Sequence, residues 1–198
     1  MNVKRILLAV LMLVPGLAVA ATPSQGVELK VRRGFFTETD IGAFFTLGGN
    51  DVYSNAQSYL QLGIGYDLSD TLELGAHFGL GANAYNCFSG RTAGGECIET
   101  ENFTITFFDA TLAYLVPLRE RLYLTPKVAV GYTLLDPSPV RRADGSGFSR
   151  GINFGAGVGV EYATAMEHLS IGADVLVRYI PVANIPAVSI FPRVKYTF

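Results

Sequence analysis

The chain has 198 residues, 49% hydrophobic and 16% charged, with 15 Lys and Arg against 17 Asp and Glu. The balance is slightly acidic, so there is no basic stripe for nucleic acid and that class of partner is excluded. The length fits one domain, and beyond the first twenty residues no apolar run approaches the roughly 20 residues of a membrane helix.

Residues 1–20 read as a secretory signal peptide. Lys4 and Arg5 give a positive start, Ile6 to Val14 an apolar core, and Pro15-Gly16 a break before Ala18-Val19-Ala20, a small-x-small cleavage site. Cleavage is expected after Ala20. The core is too short to span a bilayer. Loss of Lys4 and Arg5 takes the formal charge from −2 to −4.

The mature chain, residues 21–198, then alternates apolar with polar or very small residues. From Val27 to Leu47 the odd positions share one face, through Phe35, Thr37, Thr39, Ile41 and Ala43, while Glu38 and Asp40 lie on the other. Two strands with a turn at Thr37–Asp40 are the alternative, but that turn lacks Gly, Pro and Asn, and its two Thr residues favour strand. Leu60 to Tyr66 alternate against Tyr59, Gln61, Gly63 and Gly65. Leu72 to Leu80 alternate against Glu73, Gly75, His77 and Gly79. Phe108 to Tyr114 oppose Asp109 and Thr111, and Leu122 to Tyr132 oppose Tyr123, Thr125 and Lys127. Ile152 to Tyr162 oppose a run of Gly and Glu161. Leu169 to Tyr179 oppose Asp174 and Arg178. The last strand sets Ile190, Pro192, Val194, Tyr196 and Phe198 against Arg193, Lys195 and Thr197.

One face is therefore continuously apolar, and the other carries Gly and scattered charges. A soluble sandwich or lipocalin-like barrel would have to bury those charges, at several kcal/mol for each one left unpaired. In lipid the same pattern is apolar outward and polar inward. Bacterial barrels need an even strand count with both termini in the periplasm. One long first strand satisfies this, giving an all-β fold: an eight-stranded antiparallel transmembrane β-barrel of the outer-membrane type, in the cell outer membrane.

The connections fall into two classes. Those at Asp67–Thr71, Val116–Arg121 and Ala163–His168 are short and assigned to the periplasm. Those at Gly48–Ala56, Asn83–Asn102 and Leu134–Arg150 are longer and assigned to the outside, with a compact outer loop at Pro181–Ala187. Tyr66, Tyr114, Tyr162 and Tyr196 mark one membrane interface, and Tyr132 and Tyr179 the other. Arg33, on the outward face, is placed near the periplasmic rim, where its head can snorkel to water.

An eight-stranded barrel is only wide enough to be filled by side chains. Its expected interior network comprises Glu38, Asp40, Glu73, His77, Asp109, Lys127, Glu161, Asp174, Arg178, Arg193 and Lys195. Cys87 and Cys97 share one outer loop, and in an exported chain are expected to form a disulfide. No further metal ligands stand near them, so neither metal nor cofactor is expected. Lipid-cleaving barrels use Ser with His and an acid. Here His77 points inward, His168 sits in a short turn, and no Ser stands by an outward His, so an enzyme is not expected.

Val194, Tyr196 and the terminal Phe198 resemble the C-terminal signal by which outer-membrane barrels are recognised by their assembly machinery. Gly34-Phe35-Phe36-Thr37-Glu38-Thr39-Asp40 through Gly48-Gly49, Asn86-Cys87 with Cys97, and Leu122-Tyr123-Leu124-Thr125-Pro126-Lys127 look like a myxobacterial family of small outer-membrane barrels named for adventurous gliding motility. That resemblance implies a structural or adhesion-linked part in an envelope complex, with partner barrels, lipoproteins and periplasmic proteins. The alternative from the residues themselves is a small porin-like barrel for narrow solute or ion passage. Either way the chain's immediate partner is outer-membrane lipid.

Overall fold

The computed structural model of the chain describes residues 33–46, 57–83, 104–136, 150–182 and 185–198. Among these, nine strand segments follow one another: β1 Phe35–Thr46, β2 Gln57–Ser69, β3 Leu72–Asn83, β4 Thr104–Tyr114, β5 Val116–Arg119, β6 Leu122–Asp136, β7 Arg150–Ala163, β8 Leu169–Ile180 and β9 Ile185–Thr197. Every pairing is antiparallel, β9 returns to pair with β1, and β4 and β5 both pair with β6. Segments β4 and β5 lie on one register line and form a single stave interrupted at Leu115. The result is a closed barrel of eight staves. At about 3.3 Å per residue and a tilt near 40°, a twelve-residue strand rises about 30 Å, enough to cross the apolar band of an outer membrane.

Parity decides which way each side chain faces, because successive residues of a strand point to opposite sides. Ile64, Val128 and Ile152 are each more than half exposed on the outer surface, within a belt that also holds Leu62, Phe108, Phe154, Val175 and Val194. A contiguous apolar belt of this size is untenable in water and is what lipid requires. β1 runs unbroken through Thr37–Asp40, opposite β2 on one side and β9 on the other. A turn at that point is thereby excluded.

The two ends of the barrel differ. At one, tight turns join β2 to β3, β5 to β6 and β7 to β8, and the first described residue, Arg33, lies near the C-terminal Phe198. Phe198 donates its N–H to Phe35 O at 2.9 Å, and Thr197 donates to His168 O at 2.8 Å. We call this the turn end and the opposite one the loop end. Gly34 has φ of 153°, a conformation open to glycine. Its N–H donates to Asp67 Oδ2 at 3.0 Å and its carbonyl accepts from Asp67 N at 2.9 Å. Gly34→Val is expected to cost about 1–3 kcal/mol, read as a lower urea midpoint for the folded barrel.

Of the four prolines inside the described strands, Pro126 and Pro192 face breaks in the ladder, where no N–H is needed. No pairing joins Tyr114 and Leu115 to Thr125 and Pro126, and none joins Ile41 and Gly42 to Phe191 and Pro192. At the second break the backbones approach closely: a Cβ on Gly42 would lie 2.7 Å from Phe191 Cα.

Several boundaries depart from the sequence reading. Strand β1 begins at Phe35, after the Gly34 kink, and residues 27–32 of the expected long strand lie outside the described residues. The kink turns Arg33 into the barrel mouth and not onto the outer surface: its Nη1 is 3.9 Å from Glu73 Oε1, and its guanidinium lies 5.5 Å from the Tyr123 ring centroid. Val116–Arg119 is strand, leaving only Glu120–Arg121 as the turn. Strand β2 continues to Ser69, so Asp67 is an inward, buried residue and not a turn residue. The compact outer loop ends earlier than read, because Pro186 and Ala187 belong to β9 and Ala187 is fully buried.

The interior also has a layer that the sequence reading left out. Phe44, Tyr59, Ile105, Phe107, Leu135, Leu176, Ile180, Ala187 and Phe191 form one apolar cluster, with Val182 packed against it. All come from the loop-end portions of their strands. Phe44 and Phe107 ring centroids are 5.4 Å apart, and Tyr59 and Phe191 5.5 Å, so the aromatic rings close the lumen at that end as a cap.

Candidate functional site: the charged barrel interior

Below the cap the interior is polar, because inward positions on every stave carry charge or glycine. Arg178 stands at the boundary, 1% exposed, with Phe107 above it at 4.6 Å to the ring centroid. Its Nε and Nη2 donate to Asp109 Oδ2 at 3.2 and 2.9 Å, and its Nη1 donates to Ser189 Oγ at 2.7 Å. Nη2 also reaches Tyr59 Oη at 2.9 Å. The partners are themselves held: Asn153 Nδ2 donates to Asp109 Oδ1 at 3.0 Å, Tyr59 Oη to Gln61 Oε1 at 2.5 Å, and Gln61 Nε2 to Asp40 Oδ2 at 2.7 Å. A buried cation is tolerable only when so completely paired.

A second group occupies the turn-end half. Arg193 donates from Nη2 to Glu161 Oε2 at 2.9 Å, with Asp174 Oδ2 3.3 Å from its Nε and Glu38 Oε2 3.7 Å from its Nη1. Lys195 Nζ bonds Glu73, lies 3.4 Å from Asp67 Oδ1 and 4.0 Å from Glu161 Oε1, and sits 4.2 Å from the Phe36 ring centroid. Lys127 Nζ is 2.7 Å from Asp174 Oδ1.

His77 joins this group from the side. Its Nε2 is 2.5 Å from Glu38 Oε1 and its Nδ1 3.2 Å from Thr111 Oγ1. The ring therefore bridges a carboxylate and a hydroxyl, with Glu38 on one nitrogen and Thr111 on the other. Hydroxyl, imidazole and carboxylate in a row have the form of a nucleophile relay. The ring is closely housed between two glycines. A Cβ on Gly63 would lie 2.5 Å from His77 Cδ2, and one on Gly75 would lie 2.7 Å from Cε1 and 2.8 Å from Thr111 Oγ1. The glycines are there to admit the ring.

Glu38, Asp40, Glu73, His77, Asp109, Lys127, Glu161, Asp174, Arg178, Arg193 and Lys195 thus all face the lumen, in one group around Arg178 and another around Arg193 and Lys195. Sequence reasoning missed Asp67, although it continues the inward parity of Gln61, Gly63 and Gly65. It also missed the cap, whose signal is apolar residues at consecutive positions, as in Phe107-Phe108 and Leu134-Leu135. Val194, Tyr196 and Phe198 point outward and are exposed. The His168 ring stacks on Tyr196 at 5.3 Å and Phe198 packs on Phe35 at 5.5 Å, forming an aromatic rim at the turn end. Cys87 and Cys97 lie outside the described residues. No group of three or more His, Cys, Asp or Glu able to hold a metal occurs among the described residues.

No protein-family model and no curated protein sequence matches the chain. Solved structures do. A neisserial surface protein superposes with a TM-score of 0.59 at 16% identity, over 83% of this chain and 97% of its own. The attachment invasion locus protein of Yersinia pestis gives 0.54 at 10% identity, over 84% and 100%. A major outer membrane protein of Thermus thermophilus gives 0.51 at 16% identity, over 83% and 99%. At such identities the likeness speaks for architecture alone, and with the lipid-facing belt and the closed register it gives one conclusion: this chain is folded as an eight-stranded outer-membrane β-barrel.

Proposed function

We propose that the protein is a non-enzymatic outer-membrane scaffold, a rigid plugged barrel that presents its loop end to partners outside the cell. The observation that carries this reading is the filled lumen: the aromatic cap at the loop end stacked on the ion-paired networks below it. A barrel so packed holds shape and does little transport. This orientation is supported by the turn end, where short turns gather as they do on the periplasmic side of bacterial barrels. The segments 47–56, 84–103 and 137–149 leave and re-enter strands at the opposite end.

The test is electrical. Purified barrel in planar bilayers is expected to show no steady conductance, and a sustained open level would overturn the scaffold reading in favour of a narrow pore. A place in a gliding-motility or adhesion complex is the narrower form of the proposal and is supported by the sequence resemblance of Gly34–Gly49 and Leu122–Lys127. A pull-down from envelope fractions, with and without residues 84–99, addresses it.

A further inference from the structure

We propose that the inner face of the β1–β7 sheet is a docking surface for the chain's own β8–β9 hairpin, and that the hairpin's three cations select the register in which the barrel closes. The charges are divided between the two parts of the chain. The inward faces of β1 to β7 carry Glu38, Asp40, Asp67, Glu73, Asp109 and Glu161, against Lys127 alone among the strand lysines and arginines, with Arg33 at the mouth. The hairpin carries Arg178, Arg193 and Lys195 against Asp174.

Each of the six staves outside the hairpin sends one charged group to it. These are Glu38 from β1, Asp67 from β2, Glu73 from β3, Asp109 from β4, Lys127 from β6 and Glu161 from β7. Only β1 and β7 are hydrogen-bonded neighbours of the hairpin, so the other four reach it across the lumen. Among the described residues, the ion pairs made without the hairpin are His77–Glu38 and Arg33–Glu73. Without the hairpin, the rest of the inner face is therefore acid-lined, its six carboxylates facing Lys127, Arg33 and His77 alone among the described residues.

The tight turn fixes the register of β8 on β7, but hydrogen bonding along the closing β9–β1 edge is blind to register, since a shift of two residues keeps the same faces in and out. The charges are not blind to it. A two-residue slip moves each hairpin cation about 7 Å along the strand, beyond ion-pair reach of its carboxylate. The pairs thus penalise the misregistered closures that the backbone alone would accept.

The Arg178–Asp109 pair is the clean place to test this, because Asp109 is the one carboxylate ion-paired to Arg178 and its other partners are neutral. Full-length chain unfolded in urea is diluted into phosphatidylcholine vesicles, and closure is followed by the faster mobility of folded barrel on unheated gels. R178D and D109R are each expected to reduce the folded yield by about tenfold or more, since each leaves like charges buried together. The swap D109R/R178D should recover yield to within about twofold. Raising salt from 0.1 to 1 M, which shortens the screening length from about 10 to about 3 Å, should slow closure of the unaltered chain several-fold and leave the neutral pair D109N/R178Q indifferent. A swap that folds no better than the single reversals overturns the proposal. So does a neutral pair that closes at the unaltered rate with the unaltered salt response.

Discussion

Replacing Arg193 by methionine is expected to lower the stability of the folded barrel by about 3–5 kcal/mol. The guanidinium stands among Glu161, Asp174 and Glu38, and no other cation replaces it between the three. Methionine keeps much of the volume and removes the charge, so the loss is electrostatic: three carboxylates buried near one another, with Lys127 on Asp174, Lys195 4.0 Å from Glu161 and the His77 ring on Glu38 as their neighbours among the described residues. The chain has no Trp, so the transition is followed by far-ultraviolet circular dichroism and gel mobility in a urea series. Adding Glu161→Gln to Arg193→Met should restore about 1–2 kcal/mol, because the two sites are directly coupled. An unchanged urea midpoint in the single variant would show that water or rearrangement already compensates these acids.

An arginine at position 128 is expected to cost nearly as much for the opposite reason. Val128 lies on the outer face of β6, between Leu122 near the turn end and Tyr132 toward the loop end, and is 55% exposed. In water an exposed Val→Arg change is close to neutral; at mid-depth in a bilayer it costs about 2–4 kcal/mol. Leu118→Arg supplies the control. Leu118 is exposed to a similar degree but sits on β5 beside the turn, where the head reaches water and the expected cost is about 0–1 kcal/mol. Equal destabilisation of the two variants in vesicles would remove the membrane assignment of the belt.

The faces of the strands were legible in the sequence because parity alone fixes them: once Leu62 is outward, Gln61 and Gly63 are inward. The count of staves followed from an unbroken phase through Thr37–Asp40, which the β1 pairings bear out. What the sequence did not disclose depends on three-dimensional stagger. Arg193 meets Glu161, and Lys195 meets Glu73 and Asp67, because of the shear of the closed barrel, which no local pattern records. Arg33 was misplaced because parity was carried through Gly34, where the backbone leaves the strand. The cap went unread because Phe107 and Phe108, or Leu134 and Leu135, look like one apolar run while pointing to lumen and lipid in turn.

The two proline breaks have a mechanical meaning that comes from where they fall on the circumference. One lies between β4/β5 and β6, the other between β9 and β1, so four staves separate them whichever way round the barrel is travelled. A hoop with slackened joints at two opposite points does not breathe evenly. Its softest distortion is an oval one, with each half-shell of four staves as an arc and the joints at Pro126 and Pro192, and the ion pairs and aromatic rings that cross the lumen are what brace the barrel against it.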